Sequence, residues 1–244
     1  MKCPGQDTQY WDKNSIFDVK CPKCNASVEF FKDDTTRKCG ICGHKFINPK
    51  LDFGCASYCK FARNCIDTLP EEFLKKRVEL LKEKIELETK KYFGTDFKRI
   101  SHALSVAHYA DKIGKQEGGN MAVVMASAYL HDIGIPEAEK KHKSCAAKYQ
   151  EIEGPPIAKN ILLKLNAPAD LIQEVCDIIR RHHTPRKEET LNFKILYDAD
   201  LIVNLEKKNK KKPIDYQNLK KSANRLFFTK SGMEQALKIF KNTV

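Results

Sequence analysis

The sequence predicts an all-α helical bundle that follows a small, cysteine-rich β module. Three observations predict this fold class. From about residue 95 onward, apolar residues recur at helical spacing, and no segment alternates strongly enough to form a sheet. Eight of the ten cysteines lie in the first 65 residues. The 244-residue chain is long enough for one full helical domain and a small appended module.

Composition and patterning favour a cytoplasmic protein. The longest apolar run, Met121 to Leu130, is about half of the ~20 residues that a membrane span needs. The N-terminal stretch MKCPGQDTQYWDK lacks the apolar core of a secretory signal, so we expect no membrane partner. The formal net charge of +12 suggests anionic partners. In a reducing compartment, clustered cysteines indicate metal binding more often than disulfides.

Two Cys-x2-Cys pairs predict a zinc site in the N-terminal module. The pairs CPKC and CGIC, at 21–24 and 39–42, are separated by 14 residues, and Gly43 assists the second turn. Each pair can present two sulfurs from one tight turn, so Cys21, Cys24, Cys39 and Cys42 can surround a tetrahedral Zn²⁺. Between the pairs, SVEFF and RKC predict two strands joined by the turn KDDTT. The sequence therefore predicts a zinc-ribbon hairpin.

A second group of cysteines has a less specific pattern. Cys55, Cys59 and Cys65 follow the ribbon, and Cys3 is a candidate fourth member. Their spacing fits no single motif, so a second zinc ion and an iron–sulfur cluster both remain open. The alternative is reduced cysteines packed as small apolar residues.

Residues 1–66 are therefore predicted to form the cysteine-rich module, 67–94 a connecting helix and 95–244 the helical domain. The connecting helix begins with a capping box of Thr68 and Glu71 and ends at Gly94. Further helices are predicted to begin at Pro155 in PPIAKNILLKL and to include LNFKILYDADLIVNLEKK, whose apolar character predicts a central position.

Several polar residues are predicted to face the core of the helical domain. His102, His182 and Asp200 each share a helical stripe with apolar residues, and His131-Asp132 ends the apolar run SAYL. A buried carboxylate is costly unless it is paired or bound to a cation. Imidazole and carboxylate together suit Mn, Fe, Ni, Zn or Mg. The sequence therefore predicts that a divalent metal is held among these helices.

The order His102, then His131-Asp132, then Asp200 within LYDADLIVN resembles the HD superfamily of metal-dependent phosphohydrolases, in which HDIG is a frequent form of the motif. The resemblance covers roughly residues 95 to 240. It implies an HD-domain helical bundle in which these four residues bind one metal. Asp200 is preferred to Asp198 because the family's aspartate typically precedes Leu or Arg-Leu.

Some members of that family hold two metals bridged by the motif aspartate. Here RRHH supplies His182 and His183, but the intermediate histidine of those members is replaced in YQEIEGPPIA by Gln150, Glu151 or Glu153. Glu153 and His182 are the candidate ligands of a second metal. The alternative hypothesis, equally open, is a single metal with His182 or His183 contacting phosphate.

The resemblance implies hydrolysis of a phosphoester, with a nucleotide or related small molecule as the expected substrate. Asp132 is expected to orient or deprotonate the attacking water, and Arg99, one turn before His102, to contact phosphate. Arg180 and Arg181, which precede the histidine pair, are further candidates for the same contact.

Two alternatives come from other functional classes. Zinc ribbons often contact nucleic acid, and EKKNKKKP at 206–213 is a basic run, here expected to be a solvated loop. An HD-type diiron oxygenase would use similar ligands, but histidine is scarce between 140 and 155.

Overall fold

The computed structural model describes residues 15–32, 34, 36–50 and 71–241, with the backbone alone for 71–77. The chain divides into two compact units, 1–77 and 78–244. The domain boundaries predicted from the sequence stay predictions. The second cysteine group, Cys3, Cys55, Cys59 and Cys65, lies outside the described residues, as does Thr68 of the predicted capping box.

The described residues between 15 and 50 of the N-terminal unit form two short antiparallel hairpins. In the first, Ile16 pairs with Phe31, and in the second, Thr36 pairs with Ile47. The predicted hairpin of SVEFF with RKC is therefore wrong, because each of these strands pairs outward with a different neighbour. The strands are β1 (Ile16–Lys20), β2 (Ser27–Phe31), β3 (Thr36–Lys38) and β4 (Lys45–Ile47).

Each Cys-x2-Cys pair closes one of these hairpins, which explains the changed pairing. In the first turn the Asn25 N–H donates to Cys21 O, and in the second the Gly43 N–H donates to Cys39 O. Asn25 and Gly43 adopt the left-handed region, with φ of 60° and 70°, which such tight turns need. Both cysteine pairs therefore lie at hairpin turns.

The ribbon has a very small core. Phe30 is fully buried and meets Phe46 edge to face, with ring centroids 5.3 Å apart. The buried Asn48 side chain donates to Phe31 O and Asp34 O, and so connects the two hairpins. A core of this size cannot offset the conformational entropy of folding without additional cross-links.

The second unit is helical. Gly94 ends the first helix as predicted, with φ of 58° and its N–H donating to Lys90 O. In the described part of the chain, no helix is long and apolar enough to cross a membrane. The helices are α1 (Glu71–Phe93), α2 (Phe97–Glu117), α3 (Met121–Leu130), α4 (Ile135–His142), α5 (Ala147–Lys164), α6 (Ala169–Ile179), α7 (Leu191–Lys211), α8 (Tyr216–Leu226) and α9 (Lys230–Lys241).

The core of this unit is centred on α3, which is buried from Val123 to Leu130. α2, α6 and α7 pack around it. LNFKILYDADLIVNLEKK was predicted to be central, but α7 buries one face of its first half and is largely exposed from residue 207. Each large apolar side chain buried here contributes about 1.5–3 kcal/mol. The bundle thus has a substantial apolar core of its own.

Two helices differ from their predicted extents. α5 begins at Ala147 and carries Pro155 and Pro156 in its interior, although the sequence predicted its start at Pro155. The basic run 206–213 was expected to be a loop, but residues 206–211 continue α7. Neither departure changes the fold class, and the helical bundle with a small antiparallel β module is as predicted.

Candidate metal centre

His102, His131, Asp132 and Asp200 converge on one point inside the helical unit. His102 Nε2 lies 3.0 Å from Asp200 Oδ1, 3.2 Å from His131 Nε2 and 3.4 Å from Asp132 Oδ2. His131 Nε2 lies 3.3 Å from Asp132 Oδ2. Ligand atoms of His102, His131 and Asp200 are all within 4.8 Å of one another, so this group could hold a metal ion.

The backbone after α3 places His131 and Asp132 at this point. α3 ends at Leu130, and the chain turns through Ile133 and Gly134 into α4. A Cβ on Gly134 would lie 2.5 Å from Gln150 O and 2.6 Å from Gly154 N, closer than real atoms approach. The glycine of HDIG therefore lets the turn pack directly on the backbone of α5.

Backbone carbonyls determine which nitrogen of two histidines faces the centre. His131 Nδ1 lies 2.9 Å from Ala128 O, and His182 Nδ1 lies 2.8 Å from Ile179 O. A carbonyl can only accept, so each ring carries its proton on Nδ1 and directs the Nε2 lone pair into the site. Metal-binding histidines are oriented by contacts of this kind.

A second cluster shares Asp132 with the first. Asp132 Oδ2 faces His102 and His131, whereas Oδ1 lies 3.6 Å from His182 Nε2. Ligand atoms of Asp132, His182 and His183 also lie within 4.8 Å of one another. The two oxygens of Asp132 thus point to two different groups, an arrangement that could bridge two ions.

The carboxylates of the first cluster require positive charge. Burial raises the pKa of Asp132, but the neighbouring His131 and His182 outweigh it and hold that pKa well below its ordinary value. Burial lowers the pKa of His131, but the charges of Asp132 and Asp200 raise it to about 9. Burial raises the pKa of Asp200, but contact with His102 and the charge of His131 lower it below its ordinary value. Either imidazolium or a bound cation can supply this charge.

Two buried atoms favour a cation. Among the residues that the structure describes, His182 Nε2 and Asp200 Oδ1 are buried without a hydrogen-bond partner. Asp200 Oδ1 lies 3.0 Å from His102 Nε2 and is paired with it only by this close contact. Buried polar atoms are rarely left without hydrogen-bond partners, and a metal in each cluster would supply one.

The four ribbon cysteines form a separate candidate site. Cys21 Sγ and Cys42 Sγ are 3.6 Å apart, as are Cys24 Sγ and Cys39 Sγ, and all four sulfurs lie within 4.8 Å of one another. A tetrahedron with Zn–S bonds of about 2.3 Å requires sulfurs about 3.8 Å apart. Backbone N–H groups of Cys42 and Ile41 lower the pKa of Cys39. The Ala26 N–H lowers the pKa of Cys24, but the neighbouring cysteines outweigh it and raise that pKa. The four sulfurs therefore share their protons, and a bound cation would favour the thiolates. The set fits zinc.

Glu153, predicted as a ligand of a second metal, belongs to neither cluster. Its carboxylate lies 2.7 Å from Lys141 Nζ and 2.9 Å from His142 Nε2. These contacts hold it toward the end of α4. The structure thus corrects this candidate. The residue that lies with Asp132 and His182 in the second cluster is His183.

Arg99, predicted to contact phosphate, is engaged elsewhere. Its guanidinium donates to Asp96 at 2.7 Å and to Glu139 at 2.6 Å, joining the start of α2 to α4. Arg181 is buried, pairs with Asp177 and Glu189, and lies over the ring of Phe193. Both arginines therefore hold the helices together, and Arg180 is exposed.

His183 lies at the edge of the site and is fixed by α5. Its Nε2 lies 3.2 Å from Gln150 Oε1, and its backbone N–H donates to Glu151 Oε1 at 3.0 Å. Glu151 Oε1 also accepts from the N–H and hydroxyl of Thr184. Burial and the charge of His182 lower the pKa of His183. Glu151 is one of the residues predicted at the position of the intermediate histidine, and in the structure its carboxylate accepts from His183 and Thr184 instead.

Two further residues, Asp198 and Lys207, differ in their relation to the site. Asp198 lies outside both clusters, because its carboxylate accepts from the Phe228 and Thr229 N–H groups at the start of α9. Lys207 was not predicted, although its Nζ lies 2.7 Å from His102 Nδ1. Its position seven residues after Asp200 on one helix is the signal that could have found it.

A helical bundle in which a histidine, a His-Asp pair and an aspartate from separate helices converge is the arrangement expected of an HD domain. Residues 99–205 match the family model of the HD domain. The chain therefore contains an HD domain. No curated protein sequence matches the chain.

A solved structure supports the same fold. The crystal structure of a predicted HD superfamily hydrolase from an uncultured Thermotogales bacterium matches with a TM-score of 0.50 and 22% sequence identity. The match covers 66% of this chain and 86% of that one. At this identity the likeness shows the fold alone.

Proposed function

We propose that the chain is a metal-dependent phosphohydrolase that cleaves a phosphoester of a nucleotide or related small molecule. The convergence of His102, His131, Asp132 and Asp200 on one point is the observation that carries this proposal. The fold of the predicted HD superfamily hydrolase supports it.

These four residues would hold the catalytic ion. Two imidazoles and two carboxylates suit Mn, Fe, Ni, Zn or Mg. Such an ion supplies a polarised phosphoryl oxygen and a bound water acidic enough to react near neutral pH. The ribbon cysteines would hold a separate, structural zinc.

The chain's own residues orient the reaction. Asp132 is held by its contacts with His131 and His182, so its carboxylate has a fixed direction from which to orient water or accept its proton. Because Nε2 of His183 faces an amide oxygen, Nδ1 of that ring is free to contact phosphate or a second ion. Because the two carboxylate oxygens of Asp132 face different clusters, a second ion held with His182 and His183 is favoured.

Two other functions would use the same features. Nucleic-acid binding would use the zinc ribbon and the basic end of α7. A diiron oxygenase would place iron in both clusters. Hydrolysis is preferred to the oxygenase reaction. Two irons would be expected to have a further ionisable ligand beside His183, but the side chain paired with His183 is the amide of Gln150.

The test begins with anaerobic purification and a count of metals per chain. Phosphoesters and nucleotides are then assayed with added Mn²⁺, Fe²⁺ or Ni²⁺. We expect hydrolysis that a chelator abolishes and that His131→Ala lowers by more than about a hundredfold, since even outer contacts of metal ligands cost 10–100-fold.

His108→Ala is the matched control, because this exposed histidine lies on α2 outside both clusters. It should retain activity and metal content. Full activity in His131→Ala would reject the proposed site. Oxygen consumption without hydrolysis would favour the oxygenase, and salt-sensitive nucleic-acid retention without turnover would favour the binding function.

A further inference from the structure

Lys207 brings an ammonium group to the edge of the candidate metal centre. Its Nζ lies 2.7 Å from His102 Nδ1, on the side of the ring opposite the cluster. Lys207 lies two turns after Asp200 on α7, and Asn204, between them, donates to Asp200 Oδ2 at 3.0 Å. A polar stripe therefore leads along α7 from the cluster to this ammonium.

Lys207 has no carboxylate partner. In the described part of the chain, no carboxylate oxygen lies within ion-pair distance of its Nζ, whereas Arg99 and Arg181 are each paired with two acids. Lys141 likewise contacts Glu137 and Glu153. Of these cations, Lys207 is the one that touches a cluster residue and is not neutralised by an acid.

A second ammonium reinforces the charge. Lys98 lies four residues before His102, on the same face of α2 and within its first turn, where the helix dipole is also positive. Two like charges beside one cluster form a place where an anion is favoured.

The contact with His102 makes the ammonium available when a metal binds. An imidazole that coordinates through Nε2 carries its proton on Nδ1, and a protonated Nδ1 cannot accept from an ammonium. The ammonium is then released from the ring, and an oxyanion next to the centre would be a charge-assisted acceptor for it.

We propose that Lys207, with Lys98 beside it, binds a phosphate group at the edge of the metal centre. The proposal rests on the proposed phosphohydrolase function for the identity of the anion. The phosphate is either that of the substrate ester or the inorganic phosphate released from it. Lys207 fixes the anion, whereas the histidines and aspartates hold the ion.

The test measures inorganic phosphate binding by titration calorimetry on the metal-loaded full chain. Lys207→Met should weaken phosphate affinity at least about tenfold, the lower range for a hydrogen bond to a charged group. Lys98→Met should weaken it about threefold, as expected for an exposed charge. Lys207→Arg should restore most of the affinity, because it keeps the charge.

Lys208→Met is the matched control, since this neighbouring exposed lysine has the same charge on the same helix. It should bind phosphate as the unmodified protein does. Metal content, measured by mass spectrometry, should not fall in Lys207→Met. A loss of metal there would mean that Lys207 only positions His102, and would overturn the proposal.

The outcomes separate this inference from the proposed function. Hydrolysis together with equal phosphate affinity in Lys207→Met and Lys208→Met overturns the role of Lys207 and leaves the hydrolase intact. No hydrolysis, but phosphate binding that depends on Lys207, supports the anion site and rejects the proposed reaction. An unmodified protein that binds no phosphate overturns the inference.

The same measurements with a nucleoside monophosphate in place of inorganic phosphate identify the source of the anion. If both probes lose affinity to the same degree in Lys207→Met, the lysine recognises the phosphate group itself. If only the nucleotide loses affinity, inorganic phosphate does not use this site and the stated proposal fails.

Discussion

The two candidate metal sites differ in what surrounds them. In the ribbon, the ligands lie on the turns of two short hairpins, and Phe30 is the only large apolar side chain that the described part of that unit buries completely. In the helical unit, the ligands project from helices that bury an extensive apolar core around α3. We therefore expect the first site to stabilise its fold, whereas the apolar core around α3 can stabilise the helical unit and leave the second site for chemistry.

Removal of a ribbon ligand should show the largest effect on folding. Cys39→Ser should unfold the ribbon, because structural zinc contributes about 10–16 kcal/mol in small zinc modules. Limited proteolysis with mass spectrometry should show cleavage within residues 15–50, while helical circular dichroism stays close to that of the unmodified protein.

Cys145→Ser is the control, since this exposed cysteine lies outside the ribbon. It should leave the ribbon resistant to proteolysis. If Cys39→Ser were as resistant, the ribbon would not depend on its metal and the contrast between the two sites would be lost.

A smaller effect is expected when a backbone contact next to the helical site is forced apart. Gly134→Ala would place a Cβ 2.5 Å from Gln150 O, and because α5 backbone cannot yield, we expect the free energy of unfolding to fall by about 1–3 kcal/mol. Chemical denaturation measures this change, and hydrolysis should fall with it because Asp132 moves.

Gly40→Ala is the corresponding change in the ribbon, where an added Cβ meets nothing within 4 Å. Its effect on stability should be close to zero. An equally harmless Gly134→Ala would mean that the turn after α3 can shift, and that the packing on α5 does not fix the position of Asp132.

A pH dependence of the helical unit is expected after metal removal. The folded-state pKa of His131, raised to about 9, exceeds its ordinary value of about 6.5, so the charged ring stabilises the fold fully below pH 6.5. This contribution is lost as the pH rises through about 9. Thermal unfolding of chelator-treated protein should therefore show decreasing stability over that window.

The metal-loaded protein is the comparison for this measurement. There the ion supplies the positive charge, so stability should not decline between pH 6.5 and 9. A decline of the same size in both forms would show that His131 is not the group where proton and metal compete. The ribbon cysteines would contribute in the opposite sense, because they bind metal as thiolates.

The sequence predicts the first cluster well because its information is local. His102 and Asp200 lie on stripes of apolar residues, and His131-Asp132 ends an apolar helix, so each ligand could be assigned to the core from helical spacing. The preference for Asp200 over Asp198 came from the family resemblance. In the structure Asp198 binds the start of α9, a contact thirty residues away that spacing does not reveal.

The errors concern residues whose partners are distant. The family resemblance predicts Glu153 as a ligand shortly before a helix start at Pro155, but the helix α5 begins at Ala147, so Glu153 lies inside it. Arg99 was expected to reach the site, but its partner Glu139 lies forty residues away. The ribbon strands were too short for their apolar pattern to determine which pairs with which.

The carboxylate of Glu151 has a consequence for the surface around the second cluster. It anchors His183 and Thr184 to α5, and the exposed chain from 185 onward leaves from that anchor. Because this contact comes before the exposed stretch, substitutions or insertions after residue 185 would alter the surface beside the second cluster without moving either histidine.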